Sequence, residues 1–350
     1  MGKPVVTRSI QKKEEEKPQE ETPETPAGEG EEGAELTEGT EQPAPAMARR
    51  PTLDFSAFTI TRPSKNKRIK MLLYGANGVG KTEFLGTVCD VDSMRDLFLI
   101  DVEAGGMTLD HRRDSIDSVV VKTYKQLAKV YEFLRVHCHL RDKWKIHEDA
   151  AAYHALVELE SRFKRLPPFV EIKDADPDAE ERHEMAARLT EHGPRLYETV
   201  GIDSLSELYK YAMYDLLNIT PGTVALDEPP PDVSGNEWGK ANDQIQFLVR
   251  NFRNLELHTL FTASENQEKD EASRFHFEPA FPGKLGKQIC SFPDVVAYMA
   301  ATTPKSETDA VTRRMFLQPN TRYRAKDRYH RSNSIAYIDD ATMQSFLEAE

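Results

Sequence analysis

A glycine-rich segment directly after an apolar run constrains this chain more than any other feature. Residues 68–74 read RIKMLLY, and residues 75–82 read GANGVGKT. Gly75, four residues and then Gly80-Lys81-Thr82 is the spacing of a phosphate-binding loop, whose backbone N–H groups surround phosphate oxygens at the start of a helix. The apolar run indicates a buried strand before the loop. This strand–loop–helix order argues against the alternative, a glycine-rich turn with an accidental Lys-Thr.

The parts of this loop have different expected tasks. Glycine lets the backbone approach phosphates without a Cβ clash, Lys81 reaches the β- and γ-phosphates, and Thr82 offers its hydroxyl to Mg²⁺. We therefore expect ATP, or another nucleotide of the same kind, and Mg²⁺ as ligands. The predicted nucleotide-binding residues of the loop are Gly75, Ala76, Asn77, Gly78, Val79, Gly80, Lys81, Thr82 and Glu83.

Two carboxylates at strand ends are candidates for the chemistry. Asp203 ends the apolar segment TVGID, where it can hold Mg²⁺ together with Thr82; its alternative is to cap the next helix, a task that Ser204 could share. Glu103, in FLIDVEAGG, would point to the same side as Asp101 if the strand continued that far. A carboxylate there can act as the general base for water, or it can merely cap a turn or face solvent.

Alternating strand and helix patterns predict an α/β fold. Apolar strand segments near the loop are separated by amphipathic helices, and a run of strands follows: DVVAYMA, RRMFLQ, YRAKDR and SIAYID. We predict one domain over residues 51–350, with a mainly parallel sheet, helices on both faces and antiparallel C-terminal strands. TLDFSAFTI would be a strand entering this domain, and residues 141–197 an inserted helical region.

Four segments in this order, GANGVGKT, LIDVEAGG, VGIDSL and LFTASENQ, resemble the core of RecA-like ATPases. Over about residues 65–330, the chain is most similar to phage-encoded RecA-like nucleotide-binding proteins of single-strand annealing and recombination. The resemblance implies a P-loop NTPase in which Glu103 activates water and Asp203 is the strand-end acid. It also implies a γ-phosphate sensor, often His or Gln in relatives, for which Thr262, Ser264 and Asn266 are the candidates here.

A basic pair near the C-terminus adds a second resemblance. YRAKDR is similar to the Lys-x-Arg finger that hexameric helicases and related RecA-type ATPases insert into the site of a neighbouring subunit. Lys326 and Arg328 are two apart on a predicted strand, so both can meet one triphosphate. The resemblance thus implies a homo-oligomer, a ring or a filament. An exposed basic strand face is the alternative.

Two polar loops are candidates for contact with single-stranded DNA, because RecA-like proteins direct two mobile loops toward the bound strand. Residues 219–237 are acidic and rich in proline, which is unfavourable for phosphate binding. Residues 268–284 mix cations with aromatic rings that could stack on bases, although the rings could instead pack the loop down. The candidate DNA-binding residues are Arg274, Phe275, Phe277, Lys284 and Lys287.

Composition bounds the rest of the chain. Residues 1–50 hold twelve Glu and seven Lys or Arg with few large apolar side chains, which predicts a disordered acidic tail. The net charge of −13 excludes a globally basic nucleic-acid footprint.

Three widely spaced cysteines and the lack of a membrane-spanning segment suit the cytoplasm, here of a phage host. His137-Cys138-His139 lacks partners at zinc-site spacing, so no metal role is expected.

These observations leave three hypotheses about function. The first is an oligomeric Mg-ATPase of phage DNA recombination or single-strand annealing that binds single-stranded DNA. The second is an ATP-gated assembly or loading factor that acts through protein–protein contacts without holding DNA. The third is a helicase motor, against which the lack of a recognisable N-terminal helicase domain or primase argues. The acidic tail could compete with DNA or recruit a basic partner, and a single-strand-binding, replication or recombination protein is a candidate partner.

Overall fold

The computed structural model describes residues 68–220, 231–269, 273–302, 311–330 and 335–349. The predicted acidic tail, the strand predicted at TLDFSAFTI and most of the loop predicted at 219–237 lie outside these ranges.

Strands and helices alternate through most of the described chain, and short strands follow. The strands are β1 Lys70–Gly75, β2 Leu97–Asp101, β3 Ile116–Val120, β4 Thr199–Asp203, β5 His258–Lys269, β6 Phe275–Pro279, β7 Val295–Ala301, β8 Arg313–Phe316, β9 Lys326–Asp327 and β10 Tyr337–Asp339. The helices are α1 Lys81–Gly86, α2 Tyr124–His147, α3 Ala150–Phe163, α4 Ala179–His192, α5 Leu205–Leu216, α6 Gly235–Asn254, α7 Leu285–Ile289 and α8 Met343–Glu348.

One sheet runs through the molecule in the order β10-β8-β7-β1-β5-β4-β2-β3. The six strands from β7 to β3 are parallel, whereas β8 and β10 are antiparallel. The predicted fold class, a mainly parallel sheet with antiparallel C-terminal strands, is therefore confirmed. Of the C-terminal strands, DVVAYMA joins the parallel part, because β7 pairs directly with β1.

Helices cover both faces of the sheet, because the side chains of the buried strands alternate. In β1, Leu72 and Tyr74 face a core shared with α2, α5 and α6, whereas Met71 and Leu73 face α1 and α8. All six residues of β1 are buried. A strand enclosed on both faces reads as one apolar run, which is why the segment before the loop could be recognised from the sequence.

Buried charges hold the helical region 141–197 against the edge strand β3. Lys164 Nζ lies 2.6 Å from Asp117 Oδ2 and 2.7 Å from Glu160 Oε1. Burial alone would raise the pKa of Asp117, but the cations Lys164 and Arg195 outweigh it and hold that pKa below its usual value. The carboxylate therefore stays charged, and the ion pairs link α3 to the sheet.

The prediction of a loop over residues 268–284 is wrong, because much of this segment is a β-hairpin. Strand β5 continues to Lys269, and β6 pairs with it antiparallel. Phe277 anchors the hairpin, since its ring stacks on Tyr298 with centroids 5.4 Å apart and its N–H donates to the Arg322 carbonyl at 2.6 Å. These long-range contacts decide the structure, and the local polarity that suggested a loop does not reveal them.

His137 is a buried packing residue. Its Nε2 lies 2.8 Å from the Arg195 carbonyl oxygen, and across the described ranges no three His, Cys, Asp or Glu side chains form a group that could hold a metal ion. No helix in those ranges combines the length and apolarity that a membrane span needs.

We expect stability to fall between pH 6.5 and 4, because buried histidines resist protonation in the folded state. His258 Nδ1 accepts the Ile69 N–H at 3.1 Å, and burial lowers the pKa of His258 to about 4. The unfolded chain takes up the proton near pH 6.5, so the folded state loses up to about 3 kcal/mol from this group as the pH falls to 4.

Urea unfolding of wild type and His258→Gln across this pH range measures the effect. Glutamine retains an acceptor for Ile69 but does not titrate, so the pH dependence should become shallower. His139→Gln, at an exposed position of α2, is the control. Equal slopes for wild type and His258→Gln would contradict the assignment.

Candidate active site

Because the central strands are parallel, their carboxyl ends bring the predicted functional residues to one edge of the sheet. Gly75 ends β1, Asp101 ends β2 and Asp203 ends β4, while Ser264 on β5 is paired with Gly75. In open α/β sheets, ligands bind at the carboxyl ends of the strands. The candidate site therefore lies where the fold places such sites.

Three glycines give the loop its shape. A Cβ on Gly75 would lie 2.1 Å from the carbonyl oxygen of Met299 on β7, so no larger residue fits there. Gly78 and Gly80 have φ of 76° and 100°, a region that residues with a Cβ rarely adopt. The loop is thus a cradle with exposed backbone at the start of α1.

Lys81 lies inside this cradle. Its Nζ donates to the carbonyl oxygens of Gly75 at 3.0 Å and Ala76 at 2.9 Å, and the side chain is buried. Burial lowers the pKa of Lys81, and the carboxylates of Asp203, Glu103 and Glu265 oppose that effect. Three carboxylates are therefore within electrostatic reach of the ammonium group, at the place where phosphate oxygens would enter.

Thr82 and Asp203 form the pair predicted to hold a divalent cation. Thr82 Oγ1 donates to Asp203 Oδ2 at 2.5 Å, and Thr262 donates to the other carboxylate oxygen. Ser204, not Asp203, caps α5, because its hydroxyl accepts the Glu207 N–H. A hydroxyl and a carboxylate side by side fit Mg²⁺, which proteins usually hold through one or two carboxylates plus substrate oxygens.

Glu103 lies close enough to Lys81 for its charge to raise the pKa of that lysine. Strand β2 ends at Asp101, so the condition for both acids to share one side, a strand that continues to Glu103, is not met. Asp101 turns inward and accepts the N–H groups of Gly105 at 3.1 Å and Gly106 at 2.9 Å. Glu103 stays exposed beyond this turn, where it accepts a hydrogen bond from the Ser204 hydroxyl.

A cleft of about 480 Å³ separates Glu103 from the phosphate loop. Ser264 borders it, and its hydroxyl donates to Asn77 Oδ1 of the loop at 3.1 Å. Of the three sensor candidates, Ser264 contacts the loop, Thr262 contacts Asp203, and Asn266 hydrogen-bonds to Glu268. A larger recess of about 770 Å³ lies beside α4, and no residue of the phosphate loop lines it.

Sequence reasoning missed Glu265 as a second acid of the site. Its charge raises the pKa of Lys81, so it lies within electrostatic reach of the ammonium group. It accepts a hydrogen bond from the Tyr298 hydroxyl, and its Oε2 is buried without a partner among the described residues. The SENQ run placed Glu265 at a strand end, but only the fold shows which way it points.

Lys326 and Arg328 lie away from the phosphate loop of their own chain. Strand β9 pairs with Val295 and Val296 at the start of β7, whereas Gly75 pairs with Met299 near its end. Lys326 Nζ donates to the Ser291 carbonyl at 3.2 Å, and Arg328 donates to the same oxygen at 3.4 Å. The two cations therefore share one carbonyl oxygen as a partner. Burial and the neighbouring Arg328 lower the pKa of Lys326 to about 8.

The candidate DNA-binding residues are divided by the hairpin. Phe277 is committed to packing on Tyr298, whereas Phe275 is 46% exposed and lies under Lys269 Nζ, 5.1 Å from the ring centroid. Arg274, Lys284 and Lys287 are exposed. Lys287 also lines a recess with Arg324, Lys326 and Arg328, so structure brings the DNA and finger candidates together.

Comparison with known proteins agrees with this geometry. A family model described as an AAA domain matches residues 67–329. No curated protein sequence matches the chain. The crystal structure of the flagellar accessory protein FlaH from Methanocaldococcus jannaschii is 10% identical, with 81% of this chain and 98% of FlaH covered and a TM-score of 0.29. At that score, the likeness bears on neither the site nor the function.

Proposed function

The chain belongs to the AAA-domain family, and we propose that it is an oligomeric, Mg²⁺-dependent ATPase that acts on single-stranded DNA in phage recombination or annealing. Nucleotide binding follows from the family and the phosphate loop. The contact between Thr82 and Asp203, with Lys81 within electrostatic reach of both Asp203 and Glu103, is the observation that carries the hydrolytic part.

In this proposal, the residues of the phosphate loop and the strand-end acids divide the reaction between them. Lys81 neutralises charge on the phosphates, and Thr82 with Asp203 would hold Mg²⁺, which supplies further charge neutralisation when bound. Glu103 takes the proton from the attacking water, and the Ser204 hydroxyl holds its carboxylate in place. Ser264 reports the phosphate end of the nucleotide through its contact with Asn77.

Replacing Glu103 and Glu265 one at a time tests this division. Glu103→Gln should lower kcat for ATP hydrolysis by roughly 10²–10⁴-fold, because the general base is lost, while ATP affinity stays close to wild type. Glu265→Gln, which changes an acid of the same site by the same chemistry, should cost much less. Phosphate release and nucleotide titration measure the two quantities. A larger loss in Glu265→Gln would transfer the role of base to Glu265, and Lys81→Ala should abolish hydrolysis in either case.

The oligomeric part of the proposal rests on where the basic pair lies. The register partners of Lys326 and Gly75, Val296 and Met299, are three positions apart on β7, which corresponds to about 10 Å along the strand. The pair cannot complete the phosphate site of its own chain without leaving its carbonyl contacts. A neighbouring subunit could receive it, and a cation supplied in trans contributes roughly 10³–10⁵-fold in related phosphoryl-transfer sites.

Mixing two inactive variants tests for a shared site. Arg328→Ala retains Glu103, and Glu103→Gln retains Arg328, so a mixed interface can combine the intact halves. After random mixing, about one quarter of the shared sites should be complete, and ATPase activity should return in proportion. Glu103→Gln mixed with Lys81→Ala is the control, because both defects lie in the phosphate half. No recovery in the first mixture would contradict the trans role.

Contact with single-stranded DNA is supported by the exposed end of the hairpin and by α7. Phe275 with Lys269 offers an aromatic face beside a cation, and Lys284 and Lys287 lie near by in sequence after the same hairpin. Bases stack on such rings, and phosphates pair with such cations. A single-strand-binding or recombination protein would be the accompanying partner of the acidic N-terminal residues.

Titration of fluorescent oligo(dT) in a salt series, with ATPase rates measured in parallel, tests DNA binding. Replacing both Lys284 and Lys287 by Ala should reduce the slope of log affinity against log salt by about 1.4. Phe275→Ala should weaken binding by about 1–3 kcal/mol. The matched controls are Phe247→Ala, at a 66% exposed phenylalanine of α6, and the α2 pair Lys125→Ala with Lys129→Ala. Salt-insensitive retention and a DNA-independent ATPase rate would favour the ATP-gated assembly factor instead.

A further inference from the structure

Strand β8 begins with two arginines whose side chains have different surroundings. The side chain of Arg314 already has two partners, because its Nε lies 2.8 Å from Asp339 Oδ1 and its guanidinium is 4.3 Å from the ring centroid of Tyr337. Arg313 instead lies against the phosphate loop: a Cβ built on Gly80 would be 3.0 Å from Arg313 Cδ and 3.2 Å from its Nε. A guanidinium group is thus held beside the last glycine of the loop.

The backbone of Arg313 is held by hydrogen bonds, whereas its guanidinium group has no acidic partner among the described residues. Its N–H donates to Asp340 Oδ1 at 2.9 Å, and its carbonyl accepts the Asp340 N–H at 2.6 Å. Within the described ranges, no carboxylate lies at ion-pair distance from its guanidinium, and the residue is exposed. A cation in this position can take an anionic ligand without breaking an existing pair.

The position of β8 in the sheet shows which part of a nucleotide would reach Arg313. Glu103, Asp203 and Ser264 follow or belong to β2, β4 and β5, all on one side of β1. Arg313 comes from the other side, beyond β7. If the γ-phosphate and the attacking water lie near Glu103, the rest of the nucleotide extends from the loop toward β7 and β8.

We propose that Arg313 binds the α-phosphate of the nucleotide held by the loop of its own chain. This rests on the proposed ATP-binding function, and it adds a cation in cis on the side of the site opposite to the water-activating acid. Guanidinium groups match phosphate oxygens through paired N–H donors. Because the α-phosphate is present in both ATP and ADP, Arg313 contributes to binding both, and little to the chemical step.

Isothermal titration of Mg²⁺-ADP and of Mg²⁺ with a non-hydrolysable ATP analogue tests the proposal. Arg313→Ala should raise both dissociation constants by roughly 10- to 100-fold, as expected for a hydrogen bond to a charged group. KM for ATP should rise to the same extent, with kcat at saturation nearly unchanged. Arg313→Lys should recover part of the affinity, and Arg314→Ala, the adjacent arginine, should bind both nucleotides like wild type.

The possible outcomes separate this proposal from the proposed function. Unchanged affinities in Arg313→Ala, while wild type binds both nucleotides, would overturn the role of Arg313 alone. A loss confined to the ATP analogue would also overturn it, since that result places the guanidinium at the γ-phosphate. A wild-type protein that binds neither nucleotide would overturn the proposed function and, with it, this assignment. Thermal unfolding of Arg313→Ala at the wild-type temperature excludes a folding defect as the cause of weaker binding.

Discussion

Parallel pairing of β1 with β5 on one side and β7 on the other is the constraint on which the site depends. It brings strand ends to a single edge, so the phosphate loop, the acid of β4 and the serine of β5 meet although they are far apart in the sequence. The pairing also explains the burial of β1 on both faces. A loop of the same sequence on an edge strand would have the glycines but not the surrounding acids.

Electrostatics around Lys81 follow from this arrangement. One buried ammonium group lies among three carboxylates that come from three different strands or their ends. In a low-dielectric setting, each carboxylate stabilises the charged form of the lysine and so opposes the effect of its burial on the pKa of Lys81. On the distant edge, the ion pairs of Asp117 have a different task, because they join the helical region to the sheet.

The sequence was sufficient for the features that local patterns encode. The glycine spacing identified the loop, the apolar runs identified the central strands, and the strand-end position of Asp203 made it a candidate to hold Mg²⁺ together with Thr82, which it contacts in the structure. What local patterns could not supply were contacts made across the fold. The hairpin of β5 and β6 depends on Tyr298, the turn after β2 depends on how Asp101 binds Gly105 and Gly106, and the proximity of Glu265 to Lys81 and of Arg313 to Gly80 depends on strand order.

Gly75 illustrates how such a fold changes the meaning of a mutational experiment. Its absent side chain leaves room for a carbonyl of β7, not for a ligand. A substitution there would disturb the junction of two central strands, and lost activity would report damage to the framework. Gly78 has open space around it but a φ of 76°, so a side chain there would strain the backbone. Among the described residues, the hydrogen bonds of the Lys81 ammonium group go to carbonyls of the loop itself, so a defect at Lys81 can be assigned to the ligand with greater security. Within one short motif, residues that look equivalent in the sequence thus belong to two different systems, the scaffold and the binding surface.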